Sequence, residues 1–183
     1  MGIVTMKIQR NIAFLRAINV GGHTVKMDHL RKLFEALGFL NVETFIASGN
    51  IIFESPSEDT DLLEKKIEGH LQKSLGYEVS TFIRSPSELA EIAKYRPFPS
   101  SELDVEGSSL YIAFVQAPPS DESQQKLMAF KTPVDDFHIH ARVINWLSRK
   151  KISESSFSGA LLERTMRNST TVKKIAANYA EAQ

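Results

Sequence analysis

The sequence NIAFLRAINVGG, from Asn11 to Gly22, joins an apolar, branched run to a pair of glycines. Residues 11–17 have the composition of a buried β-strand, and the NVGG segment that follows cannot continue a strand. Farther along, we expect Asp28 to cap a helix and Gly38 to end it. Its apolar residues recur at the i, i+3, i+4, i+7 spacing of an amphipathic helix, and they are Leu30, Leu33, Phe34 and Leu37.

The same reading predicts the remaining elements in chain order. A hairpin is expected around Ser48-Gly49-Asn50, because glycine can take the positive φ of a tight reversal. In the N-terminal part, the two hairpin strands are predicted at residues 42–47 and 51–54, and a further strand at 77–83. Helices are predicted there at residues 57–71 and 85–96. In the C-terminal part, strands are predicted at 109–115, 135–140 and 143–147, and helices at 121–130, 156–164 and 171–182.

The order of these elements predicts an α+β fold made of two tandem ferredoxin-like β-α-β-β-α halves. Helices pack on mixed or antiparallel sheets in this class, which is built from split βαβ motifs. We expect an N-terminal half at residues 1–98 and a C-terminal half with a terminal helix at 99–183. The connector is residues 96–107 (RPFPSSELDVEG), where proline, serine and acidic residues are concentrated.

Composition excludes several classes of protein. The 183 residues carry 22 Lys+Arg against 22 Asp+Glu and no cysteine. A disulfide framework, a thiol nucleophile and a zinc site of the CxxC type are therefore excluded. No apolar run has the length of a membrane span or the pattern of a signal peptide, so we expect a cytoplasmic protein with no membrane contact.

Three segments together resemble one bacterial family. They are FLRAINVGG at residues 14–22, ASGNIIF at 47–53 and TMRNSTTV at 165–172, here called the first, second and third motifs. In this order and spacing they resemble domain of unknown function 1697. The resemblance implies two ferredoxin-like halves and no established activity. The chain departs from the family at Ala17, where glycine is usual, and at Ser169, where tryptophan is usual.

The third motif is a candidate anion site. We expect Thr170 or Thr171 to cap the last helix, whose free N–H groups and dipole favour a negative charge. Arg167 and Asn168 stand just before that cap. The alternative is that Arg167 pairs with a carboxylate and the threonines only cap the helix.

The first motif adds polar groups at the end of a strand, where ligands often bind. The alternative is that its glycines only form a turn. Ser48 lacks the surroundings of a nucleophile, so we expect Ser48 and Asn50 to bond their own backbone while lining a pocket. The predicted ligand-binding residues are Arg16, Asn19, Gly21, Gly22, Lys26, Ser48, Asn50, Arg167, Asn168, Thr170 and Thr171.

Two further patterns are less specific indications of function than the three motifs. Asp136, His138 and His140 alternate along one predicted strand and could face a metal ion, but a half-exposed strand explains them as well. Residues 141–174 carry eight basic and two acidic side chains, which could attract RNA, with Trp146 and Tyr111 as stacking candidates. No metal, cofactor or catalytic residue is assigned.

The function predicted from sequence is the binding of a small ligand that bears phosphate or carboxylate, in a polar cleft between the two halves. Whether the protein is also an enzyme stays open. The alternative is an RNA or protein interaction module that uses the basic 141–174 region. Both a monomer and a homodimer are compatible with the sequence.

Overall fold

The structure is a computed structural model, and it describes residues 6–56, 59–155, 157 and 165–180. In this part of the chain the fold is α+β, with two four-stranded antiparallel sheets. The chain divides into two compact units, Met1–Pro86 and Ser87–Gln183. This boundary lies before the one predicted at residues 98–99, because Glu88 and Tyr95 contact Arg142 and His138 of the second unit.

The first unit contains four strands and two helices. Its sheet has the order β2-β3-β1-β4. The predicted hairpin is confirmed, since β2 and β3 pair antiparallel and Gly49 has φ +74° in the turn between them. The elements are β1 (Ile8–Leu15), α1 (Met27–Glu35), β2 (Leu40–Thr44), β3 (Asn50–Pro56), α2 (Thr60–Leu75) and β4 (Thr81–Arg84).

The core of this unit lies between the sheet and its helices. Leu63, Ile67 and Leu71 recur every four residues on α2 and are fully or almost fully buried. They belong to the same apolar cluster as Phe34 of α1 and Phe53 of β3, whose rings meet edge to face at 5.5 Å. Each such side chain contributes roughly 1.5–3 kcal/mol by leaving water, so this cluster stabilises the unit.

The start of α1 differs from the prediction. The N-cap is Lys26, whose side chain makes no capping hydrogen bond, and Asp28 lies in the first turn. The Asp28 carboxylate pairs instead with Arg31 at 2.6 Å and with Lys32 at 3.0 Å, one turn farther along. The predicted cap at Asp28 was therefore wrong, because its side chain is used along the helix surface.

Two glutamates of α2 cover the outer edge of β4. Glu64 accepts a hydrogen bond from the Ile83 N–H and Glu68 accepts one from the Thr81 N–H, both at 2.8 Å. Edge strands otherwise present unpaired N–H groups to solvent or to another chain. The two carboxylates accept the hydrogen bonds that a fifth strand would otherwise accept. Glu64 is therefore buried with its carboxylate hydrogen-bonded.

The second unit has the strand order β6-β7-β5-β8. Its helix α5 is capped by Ser120, whose side chain accepts from the Ser123 N–H. The helix predicted at residues 156–164 lies outside the described residues. The elements are α3 (Pro86–Lys94), α4 (Ser100–Leu103), β5 (Ser109–Phe114), α5 (Asp121–Met128), β6 (Asp135–His140), β7 (Val143–Ser148), a 3-10 turn at Ile152–Glu154, β8 (Thr165–Asn168) and α6 (Ser169–Tyr179).

An aromatic cluster fills the core of the second unit. Trp146 is fully buried, and its ring meets that of Phe157 at 5.0 Å. The indole N–H donates to the buried Asp135 carboxylate at 2.8 Å, which also accepts from the Ser155 hydroxyl at 2.9 Å. The carboxylate thus satisfies a polar atom that would otherwise be buried without a partner.

Candidate functional site

The first and second motifs meet in the first unit. Asn19 donates from its side-chain amide to the Ala47 carbonyl at 3.0 Å and accepts from the Val25 N–H at 2.8 Å. The Leu15 N–H donates to the Gly49 carbonyl at 2.8 Å. Asn19 therefore holds the loop after β1 against the hairpin turn, because its side-chain amide is hydrogen-bonded to both segments.

The hairpin turn is fixed by its own side chains, as the sequence predicts. The Asn50 amide donates to the Phe45 carbonyl and to the Ser48 hydroxyl, both at 2.9 Å, and Asn50 is fully buried. These bonds leave the Asn50 amide donors engaged within the turn. Ser48 and Asn50 do not line either of the two cavities that are formed entirely by described residues, one at the start of α6 and one beside α2.

The other predicted residues of the first motif lie on the surface. Arg16 and Lys26 are exposed, as are Gly21 and Gly22, which have φ of +61° and +86°. A Cβ atom on either glycine would meet no protein atom within 4 Å, so the positive φ of the turn is the feature that favours glycine at these positions. The alternative interpretation of the glycine pair, as a turn, agrees with this geometry.

The third motif forms β8 and the start of α6. The helix begins at Ser169 and its N-cap is Asn168, whose side-chain oxygen accepts from the Thr170 N–H at 2.9 Å. The predicted cap at Thr170 or Thr171 was therefore wrong. Asn168 is the last residue of a paired strand, and the chain turns into the helix directly after it, which moves the cap toward the N-terminus.

Arg167 lies within β8 rather than at the helix end. It pairs with Ile112 of β5 in the sheet, and its guanidinium donates to the Met166 carbonyl at 2.9 Å. Burial lowers the pKa of the Arg167 guanidinium to about 10, so the side chain still carries its charge at neutral pH. Arg167 is not among the residues that line the cavity at the start of α6.

That cavity, here called the α6 cavity, is the best candidate site in the described part of the chain. Its volume is about 420 Å³, within the range of small-molecule sites. It lies at the N-terminal end of α6 and carries two basic side chains against one acidic side chain. The lining residues are Arg96, Ser100, Leu103, Asp104, Ser108, Ser109, Leu110, Asn168, Ser169, Thr170 and Lys173.

The electrostatics of this cavity favour an anion. The first turn of α6 carries no acidic residue, whereas those of α1, α2, α3 and α5 each carry at least one. The positive end of the α6 dipole is therefore not neutralised from within the helix. Lys173 lies one turn after Ser169 on the same side of α6, so its charge adds to that of the helix end.

The sequence predicted some of the residues that line the α6 cavity and did not indicate the others. Asn168 and Thr170 were predicted, but Arg96, Asp104, Ser108 and Lys173 were not. The first three lie in or beside the 96–107 segment, which composition described only as a connector. A usable signal was the spacing of Ser169 and Lys173, four residues apart on a predicted helix.

The histidines of β6 contact an aromatic side chain. His138 is hydrogen-bonded through Nε2 to the Tyr95 hydroxyl at 2.7 Å, and His140 stacks on the Tyr95 ring at 4.2 Å. Asp136 pairs with Lys131 at 3.0 Å. Burial raises the Asp136 pKa, but hydrogen bonds from Lys131, the Phe137 N–H and Arg149 lower it by more. Within the described ranges, no three His, Asp or Glu side chains are grouped to hold a metal.

The basic region contains one buried stacking candidate and two arginines that pair with carboxylates. Trp146 is fully buried, so its role as a stacking candidate was wrong, and Tyr111 packs partly buried beside it. Arg142 forms an ion pair with Glu88 at 2.6 Å, and Arg149 pairs with Glu102. These pairs reduce the free positive charge of residues 141–174.

The comparisons identify the family. A model described as "Protein of unknown function (DUF1697)" matches residues 8–145. The chain belongs to this family. The DUF1697 match includes the α3–β5 side of the α6 cavity and ends before β8 and α6, so the third motif lies beyond it.

A solved structure resembles the whole DUF1697 chain. It is that of the conserved bacterial protein SP0830 from Streptococcus pneumoniae, with a TM-score of 0.74 and 21% sequence identity. The alignment covers 93% of this chain and 98% of that protein. At this identity the similarity supports the α+β fold alone. No curated protein matches the chain.

None of the helices in the described ranges has the length and apolar character needed to cross a membrane.

Proposed function

We propose that the protein binds a small anionic ligand, bearing phosphate or carboxylate, in the α6 cavity. The observation that carries the proposal is the meeting of the α6 N-terminus with Arg96 and Lys173 around one polar cavity. Free N–H groups at a helix start and nearby cationic side chains are a common arrangement for binding phosphate.

Each contribution has a distinct physical role. The Ser169 and Thr171 N–H groups would donate to anion oxygens, while Asn168 keeps its side chain on the Thr170 N–H. Lys173 would supply a point charge, and Arg96 would supply a guanidinium that can hold two oxygens at once. The Asp104 carboxylate would repel a second negatively charged group in the same cavity.

The test is isothermal titration with inorganic phosphate at constant ionic strength. We expect saturable binding to the wild type and an affinity about 10-fold to 150-fold weaker for Lys173→Ala, since a hydrogen bond to a charged group contributes roughly 1.5–3 kcal/mol. Lys174→Ala is the matched control, because Lys174 is exposed and does not line the cavity. Equal weakening by both substitutions would show nonspecific attraction and contradict the proposal.

The cleft predicted from sequence includes the first motif, and that part of the proposal needs its own test. If Arg16 and Lys26 also contact the ligand, Arg16→Ala should weaken phosphate binding about as much as Lys173→Ala. If Arg16→Ala leaves the affinity unchanged, the first motif has no part in binding.

We further propose that the two units are ferredoxin-like halves. Support comes from their strand orders, β2-β3-β1-β4 and β6-β7-β5-β8, which correspond strand by strand. A crystal structure that shows residues 156–164 as a helix packed on the second sheet would support the proposal. A non-helical segment there would contradict it.

A further inference from the structure

A short segment of the second unit forms one wall of the α6 cavity. It comprises residues 99–107 and is here called the α4 segment, because it contains α4; its residues Leu103 and Asp104 line the cavity. The residue before it, Phe98, is buried, whereas every residue from 99 to 107 is exposed or half-buried. A segment that buries little surface can open at a small cost in free energy, without unfolding of the whole protein.

The backbone hydrogen bonds of the α4 segment are local. The Asp104 N–H donates to the Ser100 carbonyl at 2.9 Å, and the Ser108 N–H donates to the Val105 carbonyl at 3.0 Å. Gly107, the last residue of the segment, has φ +86° and stands just before β5. A glycine at the end of a segment can absorb the change of backbone torsion angles that a hinge requires.

An ion pair attaches the α4 segment to the sheet of the second unit. The Glu102 carboxylate accepts a hydrogen bond from the Arg149 guanidinium. Arg149 is itself fixed beside β6, because its backbone N–H donates to the Val134 carbonyl at 2.8 Å and its guanidinium lies 3.5 Å from the Asp136 carboxylate. The hydrogen bond to Glu102 is the largest cause of the raised pKa of Arg149. Glu102 therefore ties an exposed segment to a fixed arginine.

We infer that the α4 segment is a gate on the α6 cavity and that the ion pair between Glu102 and Arg149 is its latch. When the pair breaks, the segment moves about Gly107 and uncovers the cavity and the side chain of Ser108, the residue that follows the hinge. Both charges of the pair are about one-third exposed, so salt screens the latch. The motion belongs to the chain itself, and its use in admitting an anion rests on the proposed function.

The test uses Ser108→Cys, which places one thiol in a chain that has no cysteine. The Ser108 hydroxyl oxygen is buried and has no hydrogen-bond partner among the described residues, so the substitution breaks no hydrogen bond there. A thiol at this position reacts with a soluble thiol reagent when the gate opens. We expect Glu102→Gln to raise the labelling rate about twofold to fivefold. Salt at about 1 M should raise the rate in the parent protein but not in Glu102→Gln.

Three controls accompany the labelling. Glu106→Gln should leave the rate unchanged, because Glu106 lies in the same segment, is exposed and forms no ion pair with the described residues. Ser55→Cys reports unfolding of the whole protein, since Ser55 is buried in β3, and Glu102→Gln should not change its labelling rate. In the chain without any thiol, hydrogen exchange at the Asp104 and Ser108 amides should quicken by the same factor in Glu102→Gln.

The outcomes decide the inference without any ligand. An unchanged labelling rate at position 108 in Glu102→Gln, or an equal rise in Glu106→Gln, overturns the gate. Equal rises at positions 55 and 108 would show a general loss of stability and also overturn it. If Ser108→Cys does not fold, the exchange rates of the two amides decide in the same way. Phosphate is absent throughout, so failure of the gate and failure of anion binding are distinguishable.

Discussion

Substituting Gly49 tests how the first and second motifs fit together. A Cβ atom at this position would lie 3.0 Å from Ile18 Cβ and 3.1 Å from Leu15 Cβ, and both neighbours are buried. Gly49 also has φ +74°, where an L-residue costs about 1–2 kcal/mol. Overpacking adds about 1–3 kcal/mol, and the stiffer unfolded chain returns about 0.4–1 kcal/mol. We expect Gly49→Ala to lower the free energy of unfolding by about 3 kcal/mol, within limits of about 1 and 5 kcal/mol, in urea titrations.

Gly38→Ala is the matched control for this substitution. Gly38 has a similar φ of +83°, but a Cβ atom there would meet nothing within 4 Å. Backbone strain alone should therefore cost about 1 kcal/mol at Gly38. The difference between the two variants isolates the contact of the turn with Leu15 and Ile18. If Gly49→Ala destabilises the protein no more than Gly38→Ala does, the close packing of the two motifs is refuted.

Three further predictions concern stability. Ala17 has φ +62°, so Ala17→Gly should raise the free energy of unfolding by about 0.5–1 kcal/mol in the same urea assay; a loss of stability would count against the strain. Glu64→Ala leaves the Ile83 N–H without its acceptor and should cost about 1–3 kcal/mol, whereas a neutral result would mean that the edge bond is unimportant. The lowered pKa of Asp136 implies stability that is present above the ordinary value of 3.8 and lost as pH falls through the folded-state pKa; Asp136→Asn should flatten that acid limb of the stability profile, and an unchanged limb would rule out this source.

The sequence predicted the elements of the fold well, because each has a local cause. The apolar spacing of Leu30 and Phe34 and the reversal at Gly49 are set by residues near in sequence, and the structure has α1 and the β2–β3 hairpin there. Helix starts were less predictable. Asp28 and Thr170 are good capping residues by type, but the cap depends on where the backbone enters the helix.

The candidate site was only partly predictable, because distant segments form it. Asn168 and Thr170 could be singled out from their place before a helical pattern. Ser109 and Leu110 of β5 join them through the antiparallel pairing of β5 with β8, which sets Tyr111 opposite Asn168. A single sequence shows which segments are strands but not their register across about 50 residues.

The most direct test of anion binding at α6 is to follow backbone amide NMR signals while inorganic phosphate is added at constant ionic strength. Anion binding at the start of α6 predicts saturable shifts concentrated at Ser169, Thr170 and Thr171, and greatly reduced shifts in Lys173→Ala. Shifts that do not saturate, or that centre on Lys150 and Lys151 and leave the first turn of α6 unmoved, would contradict it.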